Sequence, residues 1–449
     1  MALTRRRTHH RALAVGLVMA ITLNAFEAVA VVTAMPAISA DLHGDRLYGA
    51  TFSAYMLASL VALVIGGEQA DRRGPAPPFV AGVVLFGAGL VVAGSAPTMA
   101  VVLVGRVLQG AGSGCLGTTA YVAIGRTWSA DEQPRLFAML ASAWVIPSLF
   151  APLAAGWITE QWSWRWVFFG LLPLIPLLVL LALRPLLRLG PPARPGTELG
   201  RLPLALRLAL GSALVVGGLQ LAAVLPALAL VAVGVVLAAP ALRRLLPPGT
   251  FRALPGIPAA VAARLCVNVA FFGTDTYVPF AAVRIHGSST LVAGLVIIGA
   301  SLSWTLGAQL AARQRAGADS TAKVRTGFVI LAIGIAGTSA VALASVPLSV
   351  TFVTWAIGGF GIGVVFNTTS STAIAQAPAG QEGLVGSQLG IADTLGFAFV
   401  GAVGGALIGV ADRTTLSLGA ALGMVFGLSV AAAITGARVA SRVRVVSAT

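Results

Sequence analysis

Polar residues along this chain gather in short clusters, and the stretches between them are almost wholly apolar. Apolar runs of about 18–25 residues are long enough to cross the hydrocarbon core of a bilayer as helices. Such runs predict spans near 12–36, 48–67, 78–95, 98–123, 135–158 and 166–187. Two shorter spans follow near 203–220 and 223–241, and six more near 256–282, 289–311, 324–344, 347–376, 384–411 and 415–437. Residues 203–243 also fit a bent hairpin at the membrane surface, but two short spans fit the length better. The pattern predicts an all-α polytopic membrane protein of fourteen spans, grouped as six, two and six. The expected regions are a first six-helix bundle over 1–187, a loop with an inserted helix pair over 188–255, and a second six-helix bundle over 256–449.

The loops carry the charge, and they carry it unevenly. With the N-terminus inside, twenty-three basic residues fall on the inner side, including Arg5-Arg6-Arg7, Arg194 and Arg315. Only Arg46, Arg165, Arg284 and Arg413 fall outside. Basic residues accumulate on the cytoplasmic side, so both termini are expected there. The chain is 57% hydrophobic and 10% charged. A soluble core of this size could not hide so much apolar surface. The net charge of +15 does not indicate a nucleic-acid partner, because it is dispersed among loops. A single lysine, Lys323, against 28 arginines points to GC-rich coding and the inner membrane of a bacterium. The N-terminal basic cluster and apolar stretch resemble a signal peptide, but the stretch is too long and contains Asn24 and Glu27, so an uncleaved first span is expected.

A charge inside a membrane is costly, and each one is a candidate for function. Glu27 lies deep in the first span, with Asn24 one helical turn earlier. It fits a carboxyl that takes up a proton, the alternative being a structural bond to neighbouring helices. Arg106 stands in the fourth span as a further buried charge, for which a structural counter-ion in helix packing is the alternative to a functional role. Asp275 fits a second protonation or cation-binding carboxyl. Arg264 and Asn268 precede it by eleven and seven residues, which puts all three within about 60° on one helix face. Asp393 lies in the thirteenth span as a further candidate for proton coupling, the alternative being a helix–helix hydrogen bond, and Gln388 and Asn367 are candidates to share its cavity. Phe272, Trp304, Phe366 and Trp144 are candidate lining aromatics, and Tyr277 a further cavity residue, although packing explains any one of them as well. Cys115 and Cys266 read as buried small side chains. The four histidines lie in termini or loops, and no nucleophile triad or metal-ligand cluster is visible, so an enzyme is not expected. The run Gly110, Gly112, Gly114 lacks the following Lys of a phosphate loop. Gly110 and Gly114 instead share a face suited to close helix contact.

The chain repeats itself faintly. Gly67-Glu68-Gln69-Ala70-Asp71-Arg72 closes the second span of the first six, and Gly307-Ala308-Gln309-Leu310-Ala311-Ala312-Arg313 closes the second span of the last six. The glycines of the fourth span recur at Gly358-Gly359-Phe360-Gly361-Ile362-Gly363. Repeated halves point to a transporter that rocks about a central site.

These residues resemble the major facilitator superfamily, in particular its fourteen-span drug:proton antiporter branch. Gly67 to Gly74 is similar to the signature between spans two and three, although Pro75-Ala76 departs from its basic continuation. Arg106 to Gly112 is similar to the fourth-span signature, Phe26-Glu27 to Pro36 to that of the first span, and Trp164-Arg165-Trp166-Val167-Phe168 to the start of span six. The span-five antiporter signature is reduced to Pro152 and Gly156. The resemblance implies a major-facilitator-type fold and a proton-coupling role for Arg106 beside Glu27, so that protonation loosens their ion pair and substrate competes for the site. It also implies a conformational gate at Gly67, Asp71, Arg72 and Gly74. The expected activity is proton-driven export of amphipathic small molecules or drugs by a monomer with no cofactor beyond the proton gradient. Export of a lipid or endogenous metabolite is the alternative within this fold, and a non-transporting sensor or scaffold is the alternative outside it.

Overall fold

The computed structural model describes residues 2–43, 47–192, 200–219, 221, 223–288, 290–313, 319–411 and 414–444. Of the arginines in the charge count, Arg46, Arg194, Arg315 and Arg413 lie outside the described residues, as do the side chains of Arg5, Arg6 and Arg7. The described residues form helices and turns with no strand. In chain order the helices are α1 (Ala2–Asp41), α2 (Tyr48–Arg73), α3 (Ala76–Gly94), α4 (Met99–Thr127), α5 (Gln133–Ser142), α6 (Val145–Gln161), α7 (Arg165–Phe169), α8 (Leu174–Leu189) and α9 (Leu202–Leu219). They continue as α10 (Val224–Leu245), α11 (Ile257–Asp275), α12 (Val278–Arg284), α13 (Thr290–Arg313), α14 (Ser320–Thr338), α15 (Leu348–Ala375), α16 (Glu382–Ala411) and α17 (Leu418–Val439). They make fourteen segments long and apolar enough to cross a membrane, among them the separate pair α9 and α10. The fourteen-span, all-helical expectation holds.

Seventeen helices give fourteen spans because three spans are broken, each at a proline. Proline lacks the N–H that would bond the carbonyl four residues back. Pro147 leaves the Ala143 carbonyl without that donor between α5 and α6, and Pro173 does the same to Phe169 between α7 and α8. Pro279 does so to Asp275, and α11 ends on that residue. A helix interrupted inside a membrane is tolerated where the freed backbone faces protein or a polar cavity.

The chain divides into two compact units. One comprises residues 1–129, 142–209 and 377–390, and the other residues 130–141, 210–376 and 391–449. In the first, α4 packs between α2 and α3. A Cβ added at Gly110 or Gly114 would run into the Tyr55 and Ser59 carbonyls of α2, and one at Gly112 would lie 2.5 Å from the Phe86 nitrogen of α3. The second unit repeats this arrangement, with α15 between α13 and α14. Gly359 and Gly363 meet the Ala300 and Trp304 carbonyls of α13, and Gly361 meets Gly327 of α14. The repeated glycines are thus a repeated packing device, in which small residues let helix backbones touch.

Candidate functional site

In the first unit the packing of α1 beside α4 buries an ion pair. Glu27 is fully buried and Arg106 is 2% exposed. Arg106 Nη1 donates to Glu27 Oε1 and, at 2.8 Å, to Gln109 Oε1. The guanidinium also stands over the Tyr55 ring, 4.3 Å from its centroid, an attractive cation–π geometry. The bonding is incomplete. Glu27 Oε2, Arg106 Nε, Gln109 Nε2 and Asn24 Oδ1 are buried and find no hydrogen-bond partner among the described residues. An unmade bond at a buried polar atom costs about 1–3 kcal/mol. The cluster therefore gains from any proton or polar group that reaches it.

The second unit holds a pair of opposite character. Arg264 Nε and Nη2 donate to the two oxygens of Asp393 at 2.5 and 3.1 Å. Arg264 Nη1 donates to the Phe366 carbonyl at 2.9 Å and to the hydroxyls of Ser370 and Thr369 at 2.7 and 3.3 Å. Asn268 Nδ2 adds a third donor to Asp393, at 2.7 Å. Arg264 is fully buried, while the Asp393 side chain keeps 27% exposure. Two-pronged, fully bonded geometry of this kind favours a fixed arrangement.

Asp275 stands apart from that network, although it shares a helix face with Arg264 and Asn268. Its carboxylate accepts from Trp355 Nε1 at 3.0 Å. The stripe of α11 is therefore divided between two neighbours, Asp393 of α16 and Trp355 of α15. A ladder of aromatic rings joins the two charged sites. Trp355 stacks on Phe271 at 4.7 Å, Phe271 meets Trp304 at 5.2 Å, and Trp304 meets Phe366 at 5.4 Å. Phe366 lies against the Arg264 guanidinium. Phe272 touches both Trp304 and Phe397. Tyr277 donates to the Gly401 carbonyl at 2.7 Å, which anchors α16. Asn367 donates to the Pro134 carbonyl at 2.7 Å, and Gln388 is buried.

The residues of the loop signature cluster at the end of α2. Asp71 accepts from the backbone N–H groups of Gly383 and Leu384 at 2.7 and 2.6 Å. It thus caps the first turn of α16, where a carboxylate also meets the positive end of the helix dipole. A Cβ at Gly67 would strike the Gly383 carbonyl, so that position needs its glycine. Gly74 ends α2 at φ 88°, a backbone conformation that glycine alone adopts without strain. Arg72 is exposed. In the fifth span Pro152 lies inside α6, and the space around Gly156 is open within 4 Å.

At the start of span six, Trp164 Nε1 and Arg165 Nη1 donate to Asp41 Oδ2 at 2.9 and 3.2 Å. Arg165 Nη2 also reaches the Ala96 carbonyl. The Trp164 bond, followed by the Arg165 bond, holds the Asp41 carboxyl below the usual aspartate range. The Trp-Arg pair thereby ties the ends of α1 and α3 to α7.

Several residues of these sites were not among the candidates read from sequence. Gln109 stands three residues after Arg106 on the same helix face, and that spacing could have found it. Tyr55, Trp355, Thr369 and Ser370 are brought in by neighbouring helices, and no local signal marks them.

The family profile described as Major Facilitator Superfamily matches residues 17–405. A probable multidrug-efflux transporter of Mycobacterium tuberculosis is 25% identical over 421 residues, covering 90% of this chain and 88% of that one. The multidrug transporter protein MdtP of Bacillus subtilis is 28% identical over 158 residues, covering 35% of this chain and 29% of that one. The structure of the human organic anion transporter MFSD10 is similar with a TM-score of 0.71 at 14% identity, covering 95% of this chain and 99% of that one. The proton:xylose symporter XylE gives a TM-score of 0.69 at 14% identity, covering 96% and 95%. These two likenesses show the fold.

Proposed function

The chain belongs to the major facilitator superfamily, and we propose that this multi-pass transporter exports amphipathic small molecules in exchange for protons. The observation that carries the reading is the half-satisfied pair of Glu27 and Arg106. Glu27 Oε2 is the open acceptor of that pair. A proton bound there cancels the carboxylate charge and weakens its bond from Arg106. Arg106 keeps its charge, since its guanidinium does not deprotonate, and it remains held by Gln109 and Tyr55. The freed donors can then serve a polar group of the substrate, and loss of the proton restores the pair. Alternating proton and substrate occupancy of one cluster is the chemistry of an antiporter.

The second unit supports the amphipathic part of the reading. Asp275 ends a broken helix beside the ladder of Trp355, Phe271 and Trp304. A carboxylate beside aromatic faces suits an apolar molecule with a cationic group. Asp393 has the same charge but is already engaged by Arg264, which suits it to holding α11 and α16 together. Asp71 acts as the gate, fixing the start of α16 in one conformation and releasing it in another. The excess of basic residues in the loops of one side supports a cytoplasmic position for both termini. The description of the Mycobacterium tuberculosis relative as a probable multidrug-efflux transporter agrees with export.

The test is proton counterflow. Protein is reconstituted in liposomes containing a pH dye, with no imposed gradient, and an outward substrate gradient is applied. Substrate leaving should drive protons in, and substrate flux with no proton movement would overturn the coupling.

A further inference from the structure

A groove of about 540 Å³ runs between α14 and α17, at the end where α14 begins and α17 finishes. Its mouth carries Arg325 and Arg438, both exposed. Below them the walls are apolar, formed by Val329, Ile333 and Ile434. Gly436 lets the floor close, since a Cβ there would strike the Phe328 ring.

The two arginines are free in a specific sense. Arg442, a turn beyond, is used by the fold, because its Nη1 donates to the Arg252 carbonyl at 2.6 Å. Asp319 is also committed, as the cap that accepts from Thr321 N. Neither Arg325 nor Arg438 has an acidic partner or a side-chain hydrogen bond among the described residues. Two unpaired guanidiniums lining one groove repel, and an anion bound by both relieves that repulsion. The walls specify what else the occupant carries. Val329, Ile333 and Ile434 are about half exposed, and Arg325 to Ile333 spans eight residues of helix, about 12 Å. That is most of the depth of one bilayer leaflet.

We propose that this groove is a binding site for an anionic phospholipid of the bilayer, its phosphate held by Arg325 and Arg438 and the upper part of an acyl chain lying on Val329, Ile333 and Ile434. Arginine suits the headgroup because its planar fork bonds two phosphate oxygens at once. Basic pockets between spans are a recurring way to hold such headgroups. None of its lining residues belongs to the Glu27 or Asp275 clusters, and it needs no transport to be occupied.

Native mass spectrometry of the delipidated full-length protein tests the site. The protein is titrated with phosphatidylglycerol, with phosphatidylcholine of the same acyl chains, and with inorganic phosphate alone. The wild type should retain phosphatidylglycerol about tenfold better than phosphatidylcholine, and inorganic phosphate in excess should not displace it. Arg325→Gln combined with Arg438→Gln should remove that preference, while Arg243→Gln with Arg244→Gln, on α10, should keep it. Ile333→Trp fills the groove without changing charge and should lower retention about tenfold as well; this variant carries the test if the arginine pair does not fold. Equal retention by wild type and the Ile333→Trp or double-glutamine protein would overturn the proposal. So would displacement by inorganic phosphate, which would mean a plain anion site.

Discussion

Arg106 bonds Glu27 through one carboxylate oxygen only, and the second oxygen is buried without a partner among the described residues. Arg264 bonds both oxygens of Asp393 and spends its remaining donors on α15. The same pair of charges is therefore built in two ways, one with capacity to spare and one without. Removing a partner from each should have different consequences.

Arg264→Ala should destabilise the protein by about 3–5 kcal/mol, because it leaves Asp393 without its counter-charge. Replacing both partners, as Arg264→Leu with Asp393→Leu, should recover most of that loss, since no charge is then stranded. Thermal unfolding in detergent measures both, and equal loss in the single and double variants would contradict the account.

Asp71→Ala should free the first turn of α16. Loss of a helix cap typically costs about 0.5–2 kcal/mol, and the Gly383 and Leu384 amides lose their acceptor. Hydrogen exchange over residues 381–386 should rise, with little change over α15. Unchanged exchange would mean that Asp71 does not hold that turn.

The glycines should differ sharply. Gly112→Leu would force α4 away from Phe86 of α3 and should prevent recovery of folded protein. Gly156 faces open space, so Gly156→Ala should stabilise α6 by about 0.5–1 kcal/mol through backbone entropy. Yield and unfolding temperature of the two variants decide the matter.

Fourteen spans were legible in the sequence because a lipid-crossing helix must be apolar along its whole length, and nothing else in the chain has that pattern. The breaks were not, since prolines are common in membrane helices and Pro147, Pro173 and Pro279 look no different from Pro152, which α6 absorbs. The charged residues were legible one by one, as costly residues in lipid. Their partners were less so. Helical spacing puts Arg264, Asn268 and Asp275 within one sector of α11, but spacing within a helix carries no information about which other helices meet that sector. Asp393 and Trp355 enter from distant parts of the chain, and only the fold joins them to it.

The Asp41 contact predicts a dependence on pH. Its carboxyl is held below the ordinary aspartate range in the folded protein. Its stabilising contribution is thus fully present above the unfolded value, near pH 4, and is lost as pH falls through the lower folded value. Asp41→Asn should remove that part of the acid sensitivity. A wild-type and a variant with identical stability profiles below about pH 4 would show that the Trp164 and Arg165 bonds hold nothing in solution.

Coupling at Glu27 is most directly tested by substrate transport into inverted proteoliposomes under an imposed pH gradient, comparing wild type with Glu27→Gln. The substitution keeps the size and one acceptor oxygen and replaces the other, titrating oxygen with a neutral NH2 donor, and a monodisperse protein peak confirms folding. Gradient-driven accumulation should be strong in the wild type and absent in Glu27→Gln, while downhill exchange of substrate persists. Full gradient-driven accumulation by Glu27→Gln would contradict the account, and its loss in Asp275→Asn instead would move the coupling site to the second unit.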